Sequence, residues 1–279
     1  MAATAYQVQY RQEFISAFEQ RQSMLSASVT REAVIKGNTA TFLVAGSNSA
    51  TAVTRGVNGL IPSRSDDLNQ YSATLIEWHD LVQRTGFNLF ASQGDGRRIM
   101  QETTMGVINR KMDQDILTEL ANATQDAGAA ATMSLSKVMH AWTILGNADV
   151  PVQEEDKMFF VISPAAYAYL MQTKEFASAD YVEVKPFAGP ARLYRRWAGF
   201  NWIVHPNISG AATAAELCYA FHRDAVGQAV NTGEIDMKVG VHEEQNYSWA
   251  RCSVFMGSKI LQNTGIVKVT HDGSGFAAT

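Results

Sequence analysis

Apolar residues recur at Tyr10, Phe14, Phe18 and Leu25 with Gln, Glu and Arg between them, which predicts an amphipathic helix over residues 6–25. Such a helix must dock on its own domain or on a neighbour. Val29, Arg31, Ala33 and Ile35 then alternate and predict a strand from Ser28 to Ile35. After that the pattern dissolves. Residues 37–59 hold 13 Gly, Ser, Thr or Asn among 23, one charge, Arg55, and no carboxylate. A structureless loop of that length is out of place in a compact domain. Its Thr, Val and Phe suit strands, so a projecting two-stranded hairpin is expected over Gly37–Gly59. Thr74, Ile76, Trp78 and Val82 make a further strand.

Helical periodicity returns at Met105, Ile108, Met112, Ile116, Leu120 and Ala123, predicting a helix over Arg97–Ala123, capped by Gly94 or Asp95 and about 40 Å long. That length suits a spine running through the molecule. A second helix is expected from Ser134 to Gly146 on the row Leu135, Val138, Met139, Trp142 and Leu145. Lys157–Ile162 reads as a short strand. Ser163 and Pro164 then open a helix to about Gln172, with serine as cap and proline at the first helical position. Strands are expected at Phe200–Val204, Leu217–Phe221, Ile235–Val241, Tyr247–Gly257 and Ile266–Thr270, before a Gly, Ser and Ala tail from Asp272. The class is α+β.

Composition narrows the function. A chain of 279 residues that is 46% apolar and 10% aromatic builds a sizeable core without metals or disulfides. Charged residues make up only 18%, below the roughly 25% of an ordinary soluble domain, which points to surface that faces other subunits. With 27 acidic and 23 basic residues the net charge is −4, no footprint for gripping nucleic acid. Cys218 and Cys252 form no CxxC pair and sit in apolar runs, as buried inert thiols do. Residues 1–14 lack a signal-peptide pattern and no window reaches the roughly 18 apolar residues of a membrane span, so a cytosolic site of synthesis is expected.

The search for chemistry yields little. Ser163 between a strand and a helix has the placement of a nucleophile elbow, but Val161 and Ala165 stand where that turn needs glycine, so it reads as a cap. Gly94-Asp95-Gly96 lacks the third glycine of a dinucleotide loop. His242 to Asn246 misses the zincin pattern at its second ligand, and His79, His140, His205, His222 and His271 pair with no other ligand at metal spacing. Asp66-Asp67, Glu154-Glu155 and Glu243-Glu244 are adjacent, which points them apart on strands. Arg192, Arg195 and Arg196 form the one basic cluster, suited to a neighbour's carboxylates or to phosphate. No catalytic, cofactor or metal residue is expected.

The order of elements resembles the major capsid protein of tailed bacteriophages, the Hong Kong 97 type fold, from about Ser28 to Val269. The local matches are Ile108-Asn109-Arg110-Lys111-Met112-Asp113, Phe160-Val161-Ile162-Ser163-Pro164, Ala198-Gly199-Phe200 through Val204-His205-Pro206, and Gly257-Ser258-Lys259 through Gly265-Ile266-Val267. The resemblance implies an N-terminal arm with an amphipathic helix (residues 1–27) and an extended E-loop region (28–75). A peripheral P domain carrying the spine helix (76–128) and an axial A domain with a central sheet flanked by helices (129–236) would follow. Return strands of the P domain and a tail (237–279) would close the chain.

It also implies self-assembly into hexamers and pentamers of an icosahedral head enclosing double-stranded DNA, held weakly and non-specifically, in a virion assembled in the bacterial cytoplasm. Expected inter-subunit contacts are Phe14, Phe18, Phe42, Val44, Arg55 and Val57, with salt bridges from Arg192, Arg195 and Arg196. A separate scaffolding protein, a portal and cement or decoration proteins are the expected partners, and a membrane is not. Relatives that cross-link use an E-loop lysine, and Gly37 to Leu60 holds none. Two other readings stand beside this one: an encapsulin-like bacterial nanocompartment shell, and a serine hydrolase built on Ser163.

Overall fold

A helix of 26 residues, α1 (Gly96–Ala121), organises the molecule. The computed structural model describes residues 20–32, 37–47, 50–86, 96–174, 195–231 and 235–276. Two large sheets pack on α1 at different heights. Its earlier turns bury Ile108 and Met112 against Val230, Cys252, Val254 and Met256, and its later turns bury Ile116, Leu117 and Leu120 against Phe159, Val161, Ile203 and Phe221. One apolar stripe thus serves two cores, because side chains spaced three and four apart stack along one face for its full length.

The first sheet has five strands: β1 (Thr30–Glu32), β4 (Ile76–Thr85), β10 (Val226–Val230), β11 (Asp236–His242) and β12 (Tyr247–Ile260). β12 is central. It pairs antiparallel with β4 along one edge, and with β11 and then β10 along the other, while β1 adds to β10 in parallel.

The second sheet has six strands, ordered β5 (Gln125–Asp126), β13 (Ile266–His271), β9 (Glu216–His222), β6 (Met158–Ile162), β8 (Phe200–Val204) and β7 (Arg195–Trp197). Every residue of β6 is buried, and its period of two sends Phe159 and Val161 toward α1 and Phe160 and Ile162 to the other face. That other face carries α2 (Leu135–Asn147) and α3 (Pro164–Met171). There the Phe160 and Trp202 rings stack with centroids 4.5 Å apart. Val138, Ala141 and Leu145 form the buried row of α2, whereas Met139, expected in that row, is 42% exposed because it lies about one hundred degrees round the helix from Val138.

A third sheet is a two-stranded ribbon of β2 (Thr39–Gly46) and β3 (Asp67–Thr74), in register from Thr39↔Thr74 to Gly46↔Asp67. The hairpin expected over Gly37–Gly59 is therefore longer. Its return strand lies beyond Gly59, in the polar run DLNQYSAT, and only Ala73 and Tyr71 of that run turn inward enough to lose exposure.

One further expectation changes. The amphipathic helix predicted to Leu25 lies outside the described residues up to 19, and residues 20–25 form irregular chain with bends instead. The chain passes between the two large sheets on either side of residue 236. β10 lies before it in the five-stranded sheet, and β13 lies after it in the six-stranded one.

Candidate assembly surfaces

The ribbon has two unlike faces. Ala40, Phe42, Tyr71 and Ala73 turn toward the five-stranded sheet, where Ala40 and Ala73 close over Ala229 and Phe42 lies over Gly227. The opposite face presents Leu43 at 79% and Leu68 at 74% exposure, diagonal neighbours across the two strands. Val53, Val57, Leu60 and Ile61 in the connecting segment are also exposed. β2 carries no charge, and β3 carries only Asp67 at its far end. Edge strands that stay unpaired normally carry charge or proline to repel other chains. Large exposed apolar groups on such an edge mark an interaction surface.

The residues expected at subunit contacts fall into three groups. Arg55 and Val57 are exposed in the connecting segment, and Val44 is half-buried on the ribbon. Phe42 is already packed within its own subunit. Arg196 forms an ion pair with Asp156 and donates to Asn201 Oδ1 at 3.1 Å, so its charge is met inside the chain. Phe14, Phe18 and Arg192 lie outside the described residues, as does the side chain of Arg195 in β7.

Ser163 is 1% exposed, and its Oγ accepts from Ala166 N at 3.0 Å, capping α3. The hydroxyl donates to the buried Glu216 carboxylate, which also accepts from Ala212 N at 2.6 Å. His271 Nε2 lies 3.8 Å from that carboxylate, while its Nδ1 accepts from Met133 N at 2.9 Å. The serine hydrolase reading fails on this geometry: the hydroxyl has a carboxylate as acceptor in place of an imidazole base, and no access to a substrate. Burial pushes the Cys218 thiol up to about 12 and raises Cys252 as well, so neither is nucleophilic. Among the described residues no group of three or more His, Cys, Asp or Glu could hold a metal, and His242 stacks on Tyr247.

A buried charge that the sequence reading passed over sits at the middle of α1. Asp113 is fully buried and accepts from Ser23 Oγ at 2.5 Å, Met24 N at 2.9 Å and Leu25 N at 3.1 Å, and from the Gln20 side chain. His205 Nε2, at the end of β8, lies 3.3 Å away, and its Nδ1 accepts from Asn207 N. Burial pushes the Asp113 carboxyl up, but the bonds from His205, Ser23, Met24 and Leu25 outweigh it and hold it below the usual carboxylate value. The sequence offered little signal for it, since Asp113 shares the gap between Met112 and Ile116 with Gln114 and a second carboxylate, Asp115.

Two layered sheets on one long helix, with a projecting apolar ribbon, define a capsid fold of the Hong Kong 97 type. The chain belongs to the phage capsid protein family, whose pattern matches residues 2–273. Its structure is similar to that of Mycobacterium phage Che8, with a TM-score of 0.77 at 14% identity, covering 96% of this chain and 98% of the other. It is similar to the capsid of a native GTA particle, with a TM-score of 0.71 at 12% identity over 97% and 96%. It also resembles the capsid of cyanophage P-SCSP1u, with a TM-score of 0.68 at 14% identity over 96% and 93%. No curated protein matches the sequence. The protein is a structural major capsid protein, and nothing in these likenesses supports an enclosing shell for enzymes or a hydrolase.

Proposed function

We propose that the subunit assembles into hexamers and pentamers of an icosahedral head around double-stranded DNA, and that it carries out no catalysis. The observation behind this reading is the ribbon. Leu43, Leu68, Val53, Val57, Leu60 and Ile61 leave more apolar surface bare than a free-standing hairpin would tolerate. A second copy of the chain is the natural cover, since symmetry repeats one modest contact many times over a closed shell. Residues 28–75 then act as the E-loop region, 76–128 and 237–279 as the P domain and 129–236 as the A domain. Residues 1–27 form the arm, with Phe14 and Phe18 of its helix on a neighbour. Arg55, Val57 and Val44 meet the adjoining subunit, as does Phe42 at the ribbon's root, while Arg192, Arg195 and the exposed rim of Arg196 answer its carboxylates. The head is assembled in the bacterial cytoplasm with a separate scaffolding protein and a portal, cement proteins attach outside, and DNA is held weakly, as the net charge of −4 suits.

The test replaces residues 44–69 by a short Gly-Ser linker, which keeps Phe42 on Gly227. Thermal unfolding of the isolated subunit should be nearly unchanged, and electron microscopy should find no closed shells. Closed shells built from the shortened chain would sink the reading.

A further inference from the structure

Along one face of α1, Gly106, Asn109 and Asp113 follow one another at spacings of three and four, and residues 20–25 lie across them. A Cβ at Gly106 would stand 3.6 Å from Gln20 O and 3.9 Å from Arg21 Cα, so the chain rests directly on the helix at that point. One turn on, Asn109 Nδ2 donates to Arg21 O at 2.7 Å. One turn further, the Asp113 carboxylate takes Ser23 Oγ and the consecutive amides of Met24 and Leu25. Receiving consecutive amides is the chemistry of a helix cap, performed here by a side chain 89 positions away from Met24 in sequence.

The two sides of this contact are held differently. From Leu25 onward the chain is held by burial, since Leu25 and Val29 are wholly enclosed, and by the pairing of β1 with β10. Ser26 Oγ also donates to Gln228 Oε1 at 3.1 Å. Before Leu25, Met24 packs at the edge of the core that holds Ile116, Leu117 and Leu120, and the rest of the segment meets α1 through the touch on Gly106 and the bonds to Asn109 and Asp113. Those bonds are directional, because a buried carboxylate filled by donors accepts them only along its lone pairs.

We propose that Asp113, helped by Asn109, is the positioning residue that sets where and in what direction the N-terminal segment leaves the subunit. The inference rests on the assembly reading above, in which that segment reaches a neighbouring copy. Asp113 therefore acts on how subunits join, in addition to its place in the subunit's own packing, where the buried His205 shares its carboxylate.

Trypsin provides the readout. Arg21 is exposed, yet its carbonyl is pinned by Asn109, so cutting between Arg21 and Gln22 requires residues 20–24 to lift off. In Asp113→Asn an amide must face Met24 N or Ser23 Oγ. Cleavage there, followed by mass spectrometry, should run on the order of tenfold faster than in the wild type, the change that losing one charge-assisted bond makes in an opening equilibrium. Fragments beginning after Leu25 should stay protected, and electron microscopy should find irregular or open assemblies in place of closed shells. Asn109→Ala, which removes only the Arg21 bond and leaves both cores untouched, should speed the same cut and serves if Asp113→Asn does not fold. Equal cutting in wild type and variants overturns the proposal, as do wild-type shells from a variant that is cut faster. Faster cutting in a protein whose wild type forms no shells leaves the clamp standing and removes the assembly reading.

Discussion

The ring of Phe42 rests against the bare α-carbon of Gly227: a Cβ at that glycine would stand 2.9 Å from Phe42 Cζ and within 3.1 Å of both neighbouring ring carbons. This contact roots the ribbon on β10. It leaves no room for a methyl group without moving the ring.

Gly227→Ala should accordingly tilt or loosen the ribbon, at a cost of about 1–3 kcal/mol from overpacking. Urea unfolding of the subunit measures the cost, and the yield of closed shells measures the tilt. Wild-type values for both would mean that the ribbon is held elsewhere.

Ile116 is fully buried at the level of α1 that packs on the six-stranded sheet. Ile116→Asp places an unpaired charge there and should cost several kcal/mol, leaving insoluble protein. Met112→Asp should do the same against the five-stranded sheet. Soluble, cooperatively melting protein from either variant would show that the helix does not seat both cores.

Ser163→Ala removes two bonds at once, the α3 cap and a donor to the buried Glu216. The expected loss is about 1–3 kcal/mol by denaturant unfolding, with shells still forming. A loss of hydrolytic activity on this substitution is the result that would contradict the capping role.

Acid should weaken the subunit in two separate windows. Burial lowers His271 and His222 below their ordinary 6.5, against the pull of Glu216 on the first and Asp224 on the second. Both are therefore held neutral by folding. Their stabilisation is complete above about pH 6.5, where the unfolded chain is neutral too, and fades as pH falls and the unfolded chain takes up protons first. Asp113 is lowered from 3.8, so its contribution is present above that value and is lost only in stronger acid, as pH falls through the folded value. The melting temperature should be flat from pH 8 to 7 and fall from pH 6 to 5. His271→Asn, whose amide oxygen can replace Nδ1 as acceptor for Met133 N, should flatten part of that fall.

How much of this was legible in the chain depends on whether a residue's neighbours in space are also its neighbours in sequence. The α1 stripe from Ile108 to Leu120 announces itself because helix periodicity is local, and β6 and β12 do so because both are unbroken apolar or alternating runs. The return strand of the ribbon stayed hidden, since a strand whose outer face is bare needs no apolar alternation and DLNQYSAT offers almost none. β10 was missed for a related reason. Its VGQAV is buried on both sides by elements far away in sequence, and Gly227 and Gln228 look like loop residues until Phe42 and Met112 are placed beside them. Asp113 was visible only as part of a resemblance, because every donor that fills it lies about ninety positions away.

β10 gathers several of these threads into a mechanical one. It holds the ribbon through Gly227, pairs with β1 and with β12, and through the Gln228 amide reaches Met112 O on α1 at 3.4 Å. In the proposed assembly, tension applied to the ribbon by an adjoining subunit would be delivered to a strand flanked by ladders on both edges, where backbone bonds share a lengthwise pull in shear instead of opening one by one. Outward pressure on a shell would be carried from copy to copy by that strand and set down on the long helix, leaving the helix-covered face of the six-stranded sheet outside the path of the strain.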